Sequence, residues 1–331
     1  YGKAIVGTVS GTSISFGSST TFLTAQAAYI SAVYDSNAQK VVIPYRTGGT
    51  NYGTAIVGTV SGTSISFGSP STFSTGNTTV ISAAYDSSNQ KVVIAYRDSG
   101  NNYYGTGIVG TVSGTSINFG SPTVFNSNGN TFYISATYDS TNQKIFIAYT
   151  DAGNSQYGTV IEGTVSGTSI SFGSAFVFES AVAYYSRAAY DPSNDKLVIG
   201  YRDLGNSGYG TVIAGTVSGT SISFGSPVVF NDGTTEEMSS TFDSSTGKVI
   251  VTYQDGSNSN YGTAVVFGTT GFPVPEIGSS AVYNSNGNTP YNSAVYDSTN
   301  EKVVIAYRDA GNSYYGTAVV GTVSGNSISF G

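Results

Sequence analysis

The amino-acid sequence of 331 residues contains no cysteine, no histidine and no tryptophan, and only 9% of its residues are charged. Without cysteine there is no disulfide framework, no thiol nucleophile and no thiolate metal site. Without histidine there is no imidazole base, no Ser-His triad and no histidine-ligated metal. The two side chains most often used for catalysis near neutral pH are therefore excluded.

Positive charge is also scarce, since 12 Lys and Arg stand against 19 Asp and Glu. Binding to a phosphate backbone needs clustered basic residues, so we expect no nucleic-acid partner. No apolar run approaches the roughly 18 residues that span a bilayer, so we expect no membrane insertion. The absence of cysteine is compatible with an extracellular or virion location, which we predict. The first residue is Tyr1 rather than methionine, so we expect a processed chain or a part of a longer one.

Glycine and tyrosine are abundant instead, with 43 and 26 residues, and this composition favours strands and turns over helices. The chain is built from an internal repeat with a period of about 52 residues. Its clearest marker is an aromatic residue followed by aspartate, which recurs at Asp35, Asp86, Asp139, Asp191, Asp243 and Asp297. Regular recurrence over the whole length predicts a tandem-repeat fold.

Each repeat contains four strand patterns, which we call A to D. In the second repeat, strand A is Ile81–Tyr85 and strand B is the apolar run Lys91–Arg97. Strand C is Tyr104–Val112, and strand D, Ser116–Phe119, alternates apolar and polar residues. Ser-Gly between C and D indicates a tight hairpin, and residues 120–122 lead to the next repeat. We therefore predict four antiparallel strands per repeat.

Four antiparallel strands in about 50 residues are typical of β-propeller blades. The order of the strand patterns resembles sialidase-like and Asp-box propellers, in which a Ser-x-Asp-x-Gly-x-Thr-Trp turn joins strands C and D. Residues 60–67 read VSGTSISF, without the Asp and with Phe in place of Trp. The repeated GTVSGTSISFGSP text is also loosely similar to amplified repeat proteins of tailed-phage virions. The resemblance implies a propeller fold.

We therefore predict an all-β propeller domain over residues 1–331, with six full repeats and an N-terminal half-blade. The half-blade, residues 1–17, matches strands C and D only. The predicted blades are 18–68, 69–120, 121–173, 174–225, 226–278 and 279–331. Whether the ring has six or seven blades stays open, because a seventh blade needs strands A and B beside the half-blade.

The loop between strands B and C carries the strongest candidate binding residues. Arginine ends strand B, and aspartate, asparagine and tyrosine follow it in a fixed order. The residues are Arg97, Asp98, Asn101, Tyr104, Arg202, Asp203, Asn206, Tyr209, Arg308, Asp309, Asn312 and Tyr315. Guanidinium, carboxylate and aromatic groups are those that bind sugars. The alternative is that the aspartate shapes a turn and the tyrosine packs between blades.

A second set of candidates departs from the repeat. Arg187 replaces a serine of strand A, and Glu237 lies at nearly the same height in the next repeat, so the two could form an ion pair. Glu162 replaces an apolar residue of strand C. These three residues mark either drift after duplication or one off-symmetry pocket. The Asp86-type residues are expected to cap the A–B turn and to pair with the lysine five positions later.

The sequence predicts a protein that is not an enzyme. A sialidase needs three converging arginines and a Tyr/Glu pair, and only Arg187 is expected near the axis. Two-carboxylate glycoside hydrolysis needs a pair of carboxylates across a cleft, which the pattern does not supply. No metal site is predicted, and no cofactor, although calcium in the Asp-containing loops is a weak alternative.

We predict a structural or recognition module of an extracellular or virion assembly, such as a phage tail fibre, with a multivalent loop face. Its expected partner is a glycan or cell-surface receptor, or other subunits of the assembly. Two alternatives remain: a purely architectural repeat protein of a fibre or capsid, and, less favoured, a glycoside hydrolase.

Overall fold

The computed structural model describes residues 1–219 and 221–331 of the chain. The N-terminal half-repeat contains β1 (Gly2–Ala4), β2 (Gly7–Ser10), β3 (Ser13–Phe16) and β4 (Thr20–Leu23). The first full repeat contains β5 (Ala27–Ala28), β6 (Val33–Asp35), β7 (Lys40–Thr47), β8 (Gly53–Ser61), β9 (Ser64–Phe67) and β10 (Ser71–Ser74). The second contains β11 (Thr78–Asp86), β12 (Lys91–Asp98), β13 (Tyr104–Ser113), β14 (Ser116–Phe119) and β15 (Thr123–Asn126).

The later repeats follow the same order. They contain β16 (Thr131–Asp139), β17 (Lys144–Asp151), β18 (Tyr157–Ser166), β19 (Ser169–Asp191), β20 (Lys196–Asp203), β21 (Tyr209–Ser218), β22 (Ser221–Phe224) and β23 (Val228–Asp243). The last strands are β24 (Lys248–Asp255), β25 (Tyr261–Gly268), β26 (Glu276–Ile277), β27 (Ala281–Asn284), β28 (Ser293–Asp297), β29 (Lys302–Asp309), β30 (Tyr315–Ser324) and β31 (Ser327–Phe330). In the part of the chain that the structure describes, three short 3₁₀ helices lie in B–C loops, at Ala152–Asn154, Leu204–Asn206 and Ala310–Asn312.

Backbone contacts divide the chain into two compact units. Unit 1 comprises residues 1–8 and 16–177, and unit 2 comprises residues 9–15 and 178–331. The N-terminal half-repeat contributes to both. That all 331 residues form one domain stays a prediction. No helix among the described residues is long and apolar enough to cross a membrane.

The sheet of each repeat has the predicted strand order. In the second repeat β11 pairs with β12, β12 with β13 and β13 with β14, all antiparallel. The structure adds one segment, because β15 pairs with the first half of β13. Strand D therefore has two segments, and the sheet extends beyond the boundary predicted at residue 120.

Strand A contains a bulge that the sequence did not indicate. The pairing of β11 with β12 shifts between Thr79 and Ser82, and Val80 has a φ of 51°. The same left-handed conformation recurs at Tyr29, Tyr133, Tyr185, Glu237 and Tyr291. This conformation is uncommon for any residue but glycine and unfavourable for a β-branched one. The bulge changes which side chains of strand A point to each face.

Aromatic rings pack successive repeats together. Phe73, at the end of strand D, contacts Tyr96 and Phe119 of the next repeat at centroid distances of 5.2 and 5.6 Å. Phe125 contacts Tyr149 and Phe172 in the same way. Tilted and edge-on rings at this distance add about 0.5–1.5 kcal/mol per pair beyond area burial. The core therefore lies between neighbouring sheets.

Two backbone contacts set the distance between repeats. A Cβ atom on Gly68 would lie 1.9 Å from the Thr115 carbonyl oxygen in the next repeat. In unit 2, a Cβ atom on Gly331 would lie 2.3 Å from the Thr12 carbonyl oxygen, so the half-repeat hairpin follows the last repeat in the same way. Only glycine fits such a backbone approach.

Serine side chains connect strand A of one repeat to strand A of the next. The backbone N–H of Ala136 donates a 3.0 Å hydrogen bond to Ser82 Oγ, and that of Ala294 donates one of 3.0 Å to Ser239 Oγ. Each bond joins strand A of one repeat to strand A of the next. The serine thus fixes the register between neighbouring sheets.

The Asp86-type residues cap the A–B turn, as predicted. Asp86 Oδ1 accepts the backbone N–H of Asn89 at 2.9 Å, and Oδ2 accepts its side-chain amide at 2.8 Å. The predicted pairing with lysine is wrong. Among the ion pairs of residues 1–219 and 221–331, Lys144 pairs with Glu162 and Lys248 with Glu276, whereas no lysine pairs with these aspartates.

Candidate functional site

The B–C loop is shaped by its own aspartate and asparagine. Asp98 Oδ1 accepts the backbone N–H of Gly100 at 2.9 Å, and the Asn101 carbonyl accepts the N–H of Tyr104 at 3.0 Å. Asn102 and Tyr103 both have left-handed backbones, with φ of 52° and 61°. Two successive residues of this kind form a type I′ reversal. Asp98 therefore shapes the loop with its carboxylate, and Asn101 contributes its backbone carbonyl.

The other loop aspartates act in the same way. Asp203 Oδ1 accepts the N–H of Asn206 at 3.1 Å. Asp309 Oδ1 accepts the N–H of Gly311 at 3.0 Å and the Asn284 amide at 3.3 Å, and Asp309 is only 6% exposed. The predicted carboxylates are thus engaged in loop hydrogen bonds. Asn206 and Asn312 are exposed at the loop ends.

Arg97 is surrounded by aromatic rings rather than by carboxylates. Its guanidinium carbon lies 4.9 Å from the ring centroid of Phe132, in the next repeat, and 5.7 Å from that of Tyr103. Its Nε donates a 2.8 Å hydrogen bond to Thr79 Oγ1. We call Thr79, Arg97, Tyr103 and Phe132 the Arg97 site. No carboxylate of the described residues forms an ion pair with Arg97.

Burial lowers the pKa of Arg97, and the nearby phenol groups of Tyr29 and Tyr103 offset part of this effect. Arginine nevertheless stays charged at physiological pH, because its ordinary pKa is above 12. The site therefore holds a half-buried cation between π faces. Such a cation attracts the rings electrostatically, by about 0.5–2 kcal/mol for each ring.

A related arrangement occurs one repeat earlier. The guanidinium carbon of Arg46 lies 4.9 Å from the Tyr29 ring centroid, and Tyr29 is 44% exposed. The Nε of Arg46 is buried without a hydrogen-bond partner in the described part of the chain. An unsatisfied buried donor is costly, by about 1–3 kcal/mol. The Nε of Arg46 could therefore donate a hydrogen bond to an acceptor on a ligand.

In unit 2, Arg202 has a different partner. Its Nη1 lies 2.6 Å from Glu236 Oε1, and Glu236 occupies the position that Phe132 has in the Arg97 site. The loop beside Arg202 has Gly208 at the position of Tyr103. This guanidinium is therefore neutralised by a carboxylate and has no loop aromatic. Where strand B ends in Gln254, the amide donates instead to Asn288 at 2.6 Å.

Arg308, like Arg97 and Arg46, lies over an aromatic ring. Its guanidinium carbon lies 4.4 Å from the Tyr314 centroid. Tyr314 is 58% exposed and its neighbour Tyr315 is 65% exposed. The arginine and the two rings are therefore accessible on the surface of unit 2.

The structure places one predicted residue type differently. The ring against the arginine is Tyr103 or Tyr314, whereas the predicted Tyr104 and Tyr315 are the residues that follow. Tyr104 and Tyr209 are half-buried at the start of strand C. Sequence reasoning also missed Tyr29 and Phe132. The recurrence of an aromatic near the start of strand A, at Tyr29, Tyr133, Tyr185 and Tyr291, was the available signal for Tyr29, whereas Phe132 lies one position before it.

The off-symmetry candidates occupy two places. Glu162 is 4% exposed and pairs with Lys144 at 2.8 Å, with its Oε2 lacking a hydrogen-bond partner among the described residues. Burial raises the pKa of Glu237, which the N–H of Tyr291 and the Arg187 guanidinium partly offset. Arg187 therefore lies near enough to lower the pKa of Glu237, and the ion pair between the two residues stays a prediction.

The described residues contain no group of three or more Asp or Glu side chains placed to hold a metal ion. The candidate site consists instead of arginine and aromatic side chains, repeated with variations along the chain. Planar donors beside ring faces can bind hydroxyl or carboxylate oxygens in bidentate fashion and stack apolar sugar faces.

No protein-family model matches the sequence, and no curated protein sequence matches it. Solved structures are nevertheless similar. The BP39L lectin from Burkholderia pseudomallei has a TM-score of 0.65 and 11% identity, with 98% of this chain and 93% of the lectin covered. A mutant Aleuria aurantia lectin in complex with alpha-methyl-L-fucoside has a TM-score of 0.56 and 12% identity, with 93% and 94% covered.

The fold is a β-propeller. The Trypanosoma rangeli sialidase in complex with the inhibitor DANA is also similar, with a TM-score of 0.53 and 12% identity over 92% of this chain and 54% of the sialidase. The predicted class, an all-β propeller of four-stranded antiparallel blades, is thereby confirmed. These likenesses do not bear on the phage resemblance, and the blade number stays a prediction.

Proposed function

We propose that the chain is a non-catalytic carbohydrate-binding module with several related sites. The observation that carries this proposal is the Arg97 site, in which a charged guanidinium lies between Phe132 and Tyr103 without a carboxylate partner. Among the described residues, only its Nε is engaged, by Thr79. The remaining N–H groups can donate to ligand oxygens, while a ring can receive the apolar face of a sugar.

Multivalency is part of the proposal. Arg46 and Arg308 also lie over tyrosine rings, so the arrangement recurs with different neighbours. Single sugar sites are weak, and linked sites gain avidity because the second binding event is intramolecular. A surface glycan, which presents many copies of one sugar, suits such a protein.

Two observations support a binding role over catalysis. The carboxylates nearest the arginines are engaged, since the Asp98-type residues accept loop N–H groups and Glu236 pairs with Arg202. A glycoside hydrolase needs two carboxyl groups across the scissile bond. Two of the similar structures are lectins, and one is a sialidase. We further propose an extracellular or virion-surface setting, with a glycan or receptor as partner.

A glycan array probed with the purified chain, with and without calcium, tests the proposal. We expect one sugar class to bind, and Arg97→Gln and Phe132→Leu each to weaken binding at least threefold. Lys91→Gln is the matched control, because it removes a charge from the other end of the same strand. No binding to any glycan, or equal losses in all three variants, would contradict the proposal and favour an architectural role. Turnover of chromogenic glycosides would contradict its non-catalytic part.

A further inference from the structure

The Arg97 site presents hydrogen-bond donors without a carboxylate paired to them. Among the described residues, the guanidinium has one side-chain partner, Thr79, which engages only Nε. Asp98, the carboxylate that follows in sequence, accepts the N–H of Gly100 and forms no ion pair with Arg97 in the described structure. A sugar hydroxyl both donates and accepts hydrogen bonds, whereas a carboxylate only accepts them. This guanidinium therefore suits a carboxylate of a ligand better than a hydroxyl.

Burial strengthens the preference for an anion. Arg97 is half-buried, and its removal from water lowers its pKa. A cation in such a place has lost hydration, which the rings of Phe132 and Tyr103 replace only in part. A bound carboxylate supplies an opposite charge together with paired acceptor oxygens that match the planar guanidinium. The same sugar can place its apolar face against one of the rings.

Arg46, one repeat earlier in unit 1, is a second cation of this kind. Its Nε is buried without a hydrogen-bond partner, and no carboxylate pairs with it, in the part of the chain that the structure describes. Its guanidinium carbon lies 4.9 Å from the Tyr29 ring centroid. The phenol group of Tyr29 in turn lies near enough to Arg97 to raise the pKa of that guanidinium. One tyrosine side chain is therefore close to both arginines.

Backbone hydrogen bonds hold the two arginines on neighbouring sheets. Each arginine is the last residue but one of its strand B. The N–H of Thr78 donates to the Asn51 carbonyl at 3.0 Å, which joins the B–C loop after Arg46 to strand A of the second repeat. The next residue of that strand is Thr79, which accepts the hydrogen bond from Arg97. Two guanidiniums thus lie at the same end of successive repeats.

The other repeats differ at this position. Strand B of the third repeat has Thr150 there and that of the fifth has Gln254, so both are uncharged. In the fourth repeat, Arg202 is paired with Glu236. Two cations without carboxylate partners in successive repeats are therefore a feature of the first and second repeats. A ligand that satisfies both needs carboxylates on neighbouring units, which a chain of hexuronic acids carries on every sugar residue.

We infer that Arg46 and Arg97 together bind a polyuronide, a polysaccharide in which successive sugar residues each carry a carboxylate. This inference rests on the proposed carbohydrate-binding function and names its ligand class. Each guanidinium pairs with the carboxylate of one sugar residue, and the neighbouring rings stack on the pyranose faces. The chain as a whole has a net charge of −7, so the attraction comes from the local field of the two arginines.

Isothermal titration with hexuronic acid tetrasaccharides tests this inference. The panel contains galacturonate, mannuronate, guluronate and glucuronate, each as the free acid and as the methyl ester, which keeps the ring and removes the charge. We expect at least one free acid to bind at least tenfold more tightly than its ester. The single uronic acid, which can pair with only one arginine, should bind at least tenfold more weakly than the tetrasaccharide. Binding should also weaken between about 0.05 and 0.5 M salt, because salt screens charge pairing.

Arg46→Gln and Arg97→Gln should each weaken binding of the preferred tetrasaccharide at least fivefold and reduce the difference between acid and ester. Arg202→Gln is the matched control, because it removes the same charge at the same position of a repeat where Glu236 is the partner. It should change binding less than twofold. Thermal unfolding checks that each variant is folded. If an arginine variant does not fold, the comparison of acid and ester on the unchanged protein decides the question.

Three results would overturn the inference and leave the proposed function standing. They are equal affinity for acid and ester, equal losses in all three arginine variants, and no binding of any polyuronide by a chain that binds other glycans on the array. Absence of binding to every glycan would instead contradict the proposed function itself. The two failures are therefore distinguishable.

Discussion

Arg97 in unit 1 and Arg202 in unit 2 occupy the same position of the repeat, at the end of strand B, but have opposite surroundings. Arg97 lies between Phe132 and Tyr103, whereas Arg202 forms an ion pair with Glu236 and faces Gly208. Two substitutions in the neighbouring elements thus convert a charged donor into a neutralised one. A repeated arginine is therefore not by itself a repeated binding site.

The largest expected effect comes from transferring the carboxylate to unit 1. Phe132→Glu places an anion beside Arg97 and removes a ring, so we expect at least a tenfold loss of glycan affinity at this site, about 1.4 kcal/mol. Phe132→Leu, which removes the ring alone, should lose less. Isothermal titration with the array-identified sugar measures both. Equal losses would show that charge pairing does not separate the two sites.

The reverse exchange should create a site. Glu236→Phe leaves Arg202 without its carboxylate and gives it an aromatic neighbour, so we expect one additional equivalent of sugar per chain in the titration. Glu236→Gln removes the charge without adding a ring and is the control. An unchanged stoichiometry in Glu236→Phe would mean that Tyr103, which Gly208 does not replace, is essential.

A smaller effect concerns stability. The Arg202–Glu236 pair is partly exposed, with side-chain exposures of 20% and 35%, so its coupling energy should be about 0.5–1 kcal/mol. A double-mutant cycle with Arg202→Gln and Glu236→Gln, followed by thermal unfolding, measures it. The coupling should shrink between about 0.1 and 1 M salt, since screening strengthens with salt. The pair Arg97→Gln and Glu236→Gln should show no coupling.

The smallest expected effect is the contribution of Glu237 to the pH dependence of folding stability. Burial raises its pKa, so the folded chain holds this proton more tightly than the unfolded chain. Its contribution to stability is therefore unfavourable above the folded-state pKa and recovers as pH falls towards the unfolded value near 4.3. Glu237→Gln should raise the Tm slightly at pH 7, by about 2 °C or less, and reduce its pH dependence. Glu301 is exposed, so Glu301→Gln should change neither the Tm at pH 7 nor its pH dependence.

Much of the fold could be predicted from the sequence because the same pattern of strands and turns recurs in six repeats. The strand order, the A–B cap at Asp86 and the alternation in Ser116–Phe119 are local patterns with local causes. The sheet of the second repeat extends past the boundary predicted at residue 120, because β15 pairs with β13. Long-range pairing of this kind leaves no local pattern.

The candidate site was predictable only in part. The position of Arg97 was recognised, but its ring partners were not. Tyr103 replaces the predicted Tyr104 because two left-handed residues turn the loop one position earlier. Phe132 was missed because the bulge in strand A interrupts the alternation on which its placement depends. Both errors arise from left-handed backbone conformations, which the tyrosine and asparagine residues at these positions do not predict.

The hydrogen bond from the Ala136 N–H to Ser82 Oγ has a consequence for how the molecule comes apart. Strand A of the third repeat is aligned by strand A of the second, and strand A of the sixth repeat by that of the fifth, so order passes from neighbour to neighbour within each unit, as in linear repeat arrays. A repeat with an ordered neighbour on each side gains two alignments, and a repeat at an open face gains one. Within unit 1, opening should therefore start at the first repeat, where Tyr34 is 56% exposed, and progress one repeat at a time, so that the first repeat exchanges its amide hydrogens before the second.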